Sequence, residues 1–451
     1  MCKISHLLDL NYFMEFKRQV QPALIEWKNN ARRKPLVLQG ARQVGKTHLL
    51  KNLGRTAFTD TAYFNFETQP NLKEFFENTK EVKRIIRNLS LIHGKEINPK
   101  NTLIIFDEIQ ECNHALNSLK YFCEETPEYA VASAGFLLGI TLGKNKSFPV
   151  GKVDFLHVLP LSFTEFLAQA NSSLADYLKG IDTTEKIPAI FFNQLLDYFN
   201  SYFISGGMPE AAATLLENQD MVSTQKVLDN ILMAYRLDFS KHTPSKDIAR
   251  INYVWNSIPT HLSRENKKFL YQALKPGARA REYEDALHWL VQAGLVSKVY
   301  RCNKPNLPLS AYDDLSAFKL YLVDIGLLRV LSGLDASIFS EKNKIFSEFK
   351  GALTENYILQ SLLTQFSGVP RYWTSGGQAE VDFLFQYKNR IIPCEVKSSE
   401  NTKSRSLTVY AQKYKPATRI RYSLLNLSME GDLLNIPLFL ADQTKNILDK
   451  L

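Results

Sequence analysis

Short apolar runs alternate with amphipathic stretches over the first 160 residues of the chain. The runs typical of buried strands lie at residues 36–38, 62–66, 103–106 and 130–133. Apolar residues with helical spacing lie at 12–27, 71–78 and 82–91. Because strands alternate with helices, the pattern favours a parallel sheet with helical crossovers, which is an α/β fold.

The pattern changes after residue 160. Residues 161–260 have mostly helical spacing, which is interrupted at Gly206-Gly207 and at Pro244. A helix at 281–293 is followed by strands at 295–302 and 318–323, an order that favours a winged-helix module but is shared by many small α+β units. A helix at 349–365 and strands near 381–385, 391–396 and 419–424 then predict a last α/β unit.

These changes predict four parts of the chain. We expect an α/β core over residues 1–160, a helical lid over 161–260, a winged-helix-like module over 261–331 and a C-terminal α/β domain over 345–451, after a linker.

Composition narrows the class of protein. Hydrophobic residues make up 45% and charged residues 22%, which excludes a wholly disordered chain. No apolar run approaches the roughly 20 residues of a membrane-spanning helix, and the N-terminus lacks the features of a signal peptide. Five cysteines favour a reducing compartment, so we expect a cytoplasmic protein without a membrane partner. The net charge of +9 favours polyanionic partners.

A phosphate-binding loop follows the first apolar run. Its residues fit the pattern G-x4-G-K-[ST] and are Gly40, Ala41, Arg42, Gln43, Val44, Gly45, Lys46 and Thr47. The glycines let backbone N–H groups surround phosphate oxygens, and the helix N-terminus that follows adds a favourable dipole. We expect Lys46 to reach the β- and γ-phosphates of ATP and Thr47 to hold Mg²⁺.

Two acidic residues end the apolar run at 103–106. Asp107 then lies at the carboxyl edge of the sheet, beside the phosphate loop, where it can complete the Mg²⁺ site. Glu108 is suited to polarise the attacking water. Two solvated acids at a strand end are the alternative, which the phosphate loop upstream disfavours.

These motifs resemble those of AAA+ ATPases. The segments at 132–138, 160–167 and 206–210 are, more narrowly, similar to prokaryotic AAA-type ATPases related to the archaeal ATPase and STAND groups. The resemblance implies that Ser133 senses the γ-phosphate, that Pro209 packs near the adenine and that an ATP-dependent homo-oligomer can form. Relatives carry Gly-Arg where this chain has Gly151-Lys152, so the resemblance leaves the arginine finger unassigned.

A second candidate site lies in the C-terminal part. Glu355 falls on the helix at 349–365, Asp382 on the next strand, and Glu395 and Lys397 on one face of the strand after it. Asp382 and Glu395 could hold one Mg²⁺, with Lys397 stabilising negative charge. This order resembles the restriction-endonuclease-like fold, including the C-terminal domain often joined to this ATPase family. The resemblance implies that Glu355 belongs to the catalytic set.

Charge around that site favours nucleic acid. Residues 381–425 contain nine basic and three acidic residues, a net charge of +6. Tyr387, Tyr410, Tyr414 and Tyr422 are interleaved with them and could stack on bases, although a solvated basic face with core tyrosines explains the pattern equally well. DNA is the favoured partner and RNA the alternative.

Together these observations predict an ATP-hydrolysing AAA-type ATPase that is coupled to nucleic acid, with Mg²⁺-dependent cleavage by the C-terminal domain left open. The alternative is a nucleotide-switched signalling or scaffold protein whose nuclease-like domain is inactive.

Overall fold

The computed structural model describes residues 14–136, 151–181, 183–339, 347–377, 379–398 and 405–451. The N-terminal elements are α1 (Gln21–Asn29), β1 (Leu36–Gln39), α2 (Lys46–Ala57), β2 (Asp60–Asn65), α3 (Glu74–Glu77), α4 (Val82–His93), β3 (Thr102–Asp107), α5 (Asn113–Glu125), β4 (Ala130–Ala134) and β5 (Asp154–His157). The helix predicted at 12–27 begins only at Gln21. The described chain before it, residues 14–20, forms neither a helix nor a strand, and we call it the N-terminal strap.

The five N-terminal strands form one parallel sheet in the order β2-β3-β4-β1-β5. Side chains of β1 alternate between its two faces: Leu36 and Leu38 join the large core shared with the later helices, and Val37 joins a second core with Phe64 and Phe106. Burial on both faces explains the continuous apolar runs of the sequence. The predicted α/β core is confirmed.

The middle of the chain is helical, as predicted. Its helices are α6 (Phe163–Ala170), α7 (Ser172–Lys179), α8 (Ala189–Ser205), α9 (Pro209–Asn218), α10 (Met221–His242) and α11 (Ser245–Leu262). The break after α8 has a steric cause. Gly206 has a φ of +66°, and a Cβ there would lie 2.2 Å from a carboxylate oxygen of Asp324.

The C-terminal elements are α12 (Ala280–Gln292), β6 (Val296–Cys302), β7 (Asp313–Leu322), α13 (Ile325–Leu331), α14 (Ser347–Gln365), β8 (Arg371–Thr374), β9 (Glu380–Tyr387), β10 (Arg390–Val396), α15 (Arg405–Tyr414), β11 (Arg419–Ser423), β12 (Ser428–Glu430), β13 (Leu433–Pro437) and α16 (Thr444–Lys450). Short 3₁₀ turns lie at Pro70–Lys73, Ile109–Glu111, Tyr271–Ala273, Leu309–Tyr312, Ala336–Phe339 and Leu438–Gln443.

A single eight-stranded sheet connects the last two predicted parts. Its order is β12-β13-β11-β10-β9-β8-β6-β7. The β6–β7 hairpin, which the sequence assigns to a winged-helix module, joins β8 through the parallel pair Arg301 and Tyr372. The hairpin therefore extends the sheet of the C-terminal domain.

The apolar core is continuous from the N-terminal sheet through the helices to the C-terminal sheet. A polar contact also joins the helices to the C-terminal part of the chain. The backbone N–H of Thr164 donates to Asp442 Oδ2 at 2.9 Å. None of the helices within the described residues is long and apolar enough to cross a membrane.

Candidate nucleotide-binding site

The phosphate loop joins β1 to α2 at the carboxyl edge of the parallel sheet. Gly40 has a φ of +151°, and a Cβ there would lie 2.1 Å from the carbonyl oxygen of Val158. Gln43 and Gly45 also have positive φ values, of 66° and 93°. The loop borders a cavity of about 430 Å³, large enough for a nucleotide.

Lys46 lies at the floor of this cavity. Its ammonium donates to the carbonyl oxygens of Gly40 at 2.9 Å and Ala41 at 2.7 Å. Burial lowers the pKa of Lys46 to about 8, against the opposing effect of the Glu108 and Asp107 carboxylates. Lys46 therefore lies at the cavity, as its place in the loop predicts, and its role in binding phosphate stays a prediction.

Thr47 and Asp107 meet as the sequence predicts. The Thr47 hydroxyl lies 3.0 Å from both carboxylate oxygens of Asp107. The buried Asp107 also accepts a hydrogen bond of 2.7 Å from the Tyr63 hydroxyl on β2. A hydroxyl and a carboxylate side by side next to a phosphate loop are oxygen ligands suited to Mg²⁺, so these residues fit the metal.

Glu108 follows in a left-handed backbone conformation, with a φ of 49°. This conformation turns its side chain toward the cavity that Lys46 also borders. Burial raises the pKa of Glu108, while a 2.5 Å hydrogen bond from Gln110 Nε2 opposes that shift. Gln110 also accepts a 3.2 Å hydrogen bond from the backbone N–H of Phe136. Sequence reasoning missed Gln110, although it lies only two residues after Glu108.

One wall of the cavity is apolar and suits a purine base. It is built from Met14, Phe16, Leu161, Pro209 and Ala213. Pro209, which the family resemblance places near the adenine, is therefore at the cavity. Phe16 comes from the N-terminal strap, which the sequence pattern assigned to a helix.

Arg18 fixes that strap to the core. Its guanidinium donates to the carbonyl oxygens of Val44 at 2.9 Å and Leu159 at 2.6 Å, and lies 3.2 Å from Glu165 Oε1. Glu165 also closes a capping box with Ser162 at the start of α6. The segment at 160–167 therefore has a structural role: it holds the N-terminal strap through Arg18 and begins α6. Its similarity to known ATPases did not indicate this role.

Two residues implied by the family resemblance lie away from the cavity. The buried Ser133 hydroxyl donates to the carbonyl oxygen of Leu36 at 3.0 Å and is not among the described lining residues. Lys152 forms a 2.9 Å ion pair with Glu124 near the surface. A γ-phosphate-sensing role for Ser133 stays a prediction.

The C-terminal candidate residues converge on one region of the second sheet. Cys394 is paired with Phe383 across antiparallel β9 and β10, so the next residues in register, Asp382 and Glu395, face each other. The Val396 N–H donates to Asp382 at 2.8 Å, and the Lys397 ammonium lies 2.6 Å from Glu395.

Lysines from outside the predicted set occupy this region. Lys267 pairs with Glu355, whose other oxygen accepts a 3.1 Å hydrogen bond from Tyr321. The fully buried Lys319 of β7 pairs with Glu380. Sequence reasoning missed both lysines.

These internal cations do not suit a resident metal ion. Burial, followed by the negative charge of Glu355, raises the pKa of Asp382 to about 8, and the nearby lysines oppose that shift. Among the described residues, no three His, Cys, Asp or Glu side chains form a group that could hold a metal ion. The arrangement of Glu355, Asp382 and Glu395 therefore does not fit Mg²⁺ in this conformation.

The tyrosines of the basic stretch are core residues. Tyr387, Tyr410 and Tyr422 are buried, and the half-buried Tyr414 packs against Trp373 at a ring-centroid distance of 5.7 Å. The apolar core covers Tyr387, Tyr410 and Tyr422, which agrees with the alternative of core tyrosines, whereas Tyr414 stays partly exposed.

Part of the basic charge is also neutralised locally. Lys388 pairs with Asp449 at 3.0 Å and Arg419 with Asp432 at 2.9 Å, and both acids lie beyond residue 425. Arg405, Lys413 and Lys415 are exposed, and Lys403 lies outside the described residues.

Three family models match successive parts of the chain. Residues 32–167 match an AAA domain, residues 196–338 match a domain of unknown function (DUF8612), and residues 350–438 match another domain of unknown function (DUF4143). No curated protein matches the chain.

Several solved structures are similar at low identity. A Walker-type ATPase of Pyrococcus abyssi, PABY2304, is 14% identical, with 70% of this chain and 96% of that chain covered and a TM-score of 0.46. The Aeropyrum pernix ORC1 protein in complex with DNA is 12% identical over 72% and 95% of the two chains, with a TM-score of 0.27. RuvB of Thermotoga maritima is 15% identical over 65% and 91%, with a TM-score of 0.31.

The parallel strand order, the phosphate loop and the adjacent Thr47 and Asp107 define a P-loop nucleotide-binding domain. The match of residues 32–167 to the family model of an AAA domain identifies this P-loop domain as one of the AAA type.

Proposed function

We propose that the N-terminal cavity binds ATP with Mg²⁺ and hydrolyses it. The observation that carries the proposal is the convergence of Lys46, Thr47, Asp107 and Glu108 on one cavity bordered by the phosphate loop. The apolar wall with Phe16 and Pro209 suits the base, and the loop suits the phosphates.

Each side chain has a distinct part in the reaction. Lys46 would exchange its two carbonyl partners for phosphate oxygens, and Thr47 with Asp107 would hold the metal, which neutralises phosphate charge when bound. Glu108 would take a proton from a water that attacks the γ-phosphorus. The bond from phosphorus to the β–γ bridging oxygen breaks, and that oxygen leaves with the electron pair on ADP.

Calorimetry with and without Mg²⁺ tests this assignment. Wild type should bind ATP more tightly with Mg²⁺, whereas Thr47→Ala should lose most of that difference. Thr56→Ala, which removes the hydroxyl of a threonine further along α2, is the matched control. Equal dependence on Mg²⁺ in wild type and Thr47→Ala would reject the proposed metal site.

For the C-terminal domain we propose that it binds nucleic acid through charge and does not cut it. The exposed Arg405, Lys413 and Lys415 support binding, and the lysines paired with Glu355 and Glu380 favour an inactive nuclease-like fold. Each phosphate contact should contribute about 0.7 to 0.9 to the log–log salt slope.

Anisotropy titrations with labelled DNA and RNA, over a series of salt concentrations, test this second proposal. Lys413→Glu with Lys415→Glu should weaken binding at low salt and flatten the slope, whereas Lys179→Glu should not. Mg²⁺-dependent cleavage by wild type that Asp382→Ala abolishes would overturn the inactive assignment. Binding that is absent, or unaffected by salt, would leave a nucleotide-switched scaffold as the function.

A further inference from the structure

Arg42 is a second strong cation at the cavity, within the phosphate loop itself. It lines the cavity together with Lys46 and Glu108. Its positive charge also acts to lower the pKa of both residues. Its side chain is partly exposed, with about 35% of its surface accessible, so it has room to move.

Helix α10 holds Arg42 at both ends. The guanidinium Nη1 lies 2.7 Å from Oδ1 of the buried Asp238, and the Tyr235 hydroxyl donates to the Arg42 carbonyl oxygen at 2.9 Å. One turn further along α10, Lys241 lies 3.1 Å from Glu67 and 3.2 Å from Glu111.

These contacts share one face of the helix. Tyr235, Asp238 and Lys241 are spaced three residues apart and therefore project on the same side of α10. They reach the loops that follow β1, β2 and β3, and the first and third of these loops contribute Arg42 and Glu108 to the cavity. A displacement of any of these loops must change a contact of α10.

We propose that Arg42 leaves Asp238 for the terminal phosphate of bound ATP, so that it acts as a catalytic arginine in cis and α10 responds to the nucleotide. This inference rests on the proposed ATP hydrolysis. The Arg42 guanidinium donates to Asp238 Oδ1 through Nη1, whereas a phosphate offers the guanidinium two parallel hydrogen bonds with more negative charge. The sequence leaves the arginine finger unassigned, and Lys152, which stands where relatives carry arginine, is paired with Glu124.

Steady-state kinetics on Arg42 variants test the catalytic part. Arg42→Ala should lower kcat by about 10²-fold or more while ATP affinity changes less, since the arginine stabilises charge that develops in the transition state. Arg42→Lys should recover little, because lysine lacks the planar fork. Asp238→Asn should raise kcat, since it removes the competing anion, and Asp229→Asn, on the exposed side of α10, should change nothing.

Hydrogen exchange of residues 221–242 supplies a readout separate from turnover. ATP should change the exchange of this segment in wild type and not in Arg42→Ala. Absent ATP binding or turnover in wild type would reject the proposed function itself. Two outcomes would overturn this inference alone, provided that wild type hydrolyses ATP normally. One is an equal kcat in folded Arg42→Ala, and the other is hydrogen exchange of α10 that does not respond to ATP. If Arg42→Ala does not fold, Asp238→Asn supplies the test. A kcat of Asp238→Asn that is no higher than that of wild type would overturn the inference about Arg42.

Discussion

The Nε atom of Arg18 lies 3.2 Å from Oε1 of Glu165, a residue 147 positions further along the chain. Both side chains are buried, and the same arginine donates to the carbonyl oxygen of Val44 in the phosphate loop. This contact fixes the N-terminal strap over the nucleotide cavity and joins it to the first helix after the core.

We expect Arg18→Ala to lower stability substantially. Removal of one partner leaves the Glu165 carboxylate buried with fewer partners, which costs on the order of 3 to 5 kcal/mol for buried pairs. Thermal unfolding should show a clear drop in midpoint. Arg55→Ala is the matched control, because Arg55 pairs with Glu15 of the same strap at the surface. Equal midpoints for the two variants would show that the buried pair does not hold the strap.

Lys46 predicts a pH dependence of ATP binding. Its pKa of about 8 means that the ammonium form, which the phosphates require, predominates below pH 8 and is lost above it. The affinity measured by calorimetry should therefore fall by up to about tenfold per pH unit above pH 8.

Two variants check this dependence. Lys46→Ala should bind ATP weakly at every pH, and Lys46→Arg should show no decline between pH 7 and 9.5, because arginine stays charged. A flat wild-type profile over the same range would contradict the role of this lysine.

Glu108→Gln should keep ATP binding but slow hydrolysis by about 10²-fold or more, the scale of losing a positioned general base. Phosphate release under saturating ATP measures the effect. Glu125→Gln, an exposed acid at the end of α5, is the control. If Glu108→Gln hydrolysed ATP as fast as wild type, Glu108 would not be the general base, and another residue would have to supply it.

The raised pKa of Asp382 predicts that wild type and Asp382→Asn differ in stability by an amount that depends on pH. Its pKa rises from 3.8 to about 8 on folding, so between these values the folded state binds the proton more tightly than the unfolded state. Its contribution to stability is complete below pH 4 and is lost as the pH rises through 8. Asp382→Asn, which is permanently neutral, should therefore gain stability relative to wild type over this range.

Unfolding midpoints of wild type and Asp382→Asn between pH 4 and pH 9 measure that difference. It should grow with pH and level off above pH 8, while Asp176→Asn, at an exposed site, should follow wild type throughout. A constant difference would mean that Asp382 is ionised in the folded protein at neutral pH.

Local sequence determined the nucleotide-binding elements. The run at 36–38, the glycines of the loop and the two acids after 103–106 specify a buried strand, a tight turn and a strand end, and the structure confirms each of them. The hydrophobic period and the residue types of a turn depend on only a few neighbouring positions. Strands, turns and strand ends can therefore be predicted from contiguous residues. The helical breaks at 206–207 and 244 follow for the same reason.

Tertiary packing alone decided which distant side chains meet these elements. Arg18 reaches the phosphate loop from a strap that has the spacing of a helix, Asp238 approaches Arg42 from almost 200 positions away, and Lys319 enters a carboxylate cluster on another strand pair. Three of the four interleaved tyrosines, Tyr387, Tyr410 and Tyr422, are buried for the same reason. Alternation along a strand or helix shows which residues share a face, but only the packing of whole elements determines what covers that face.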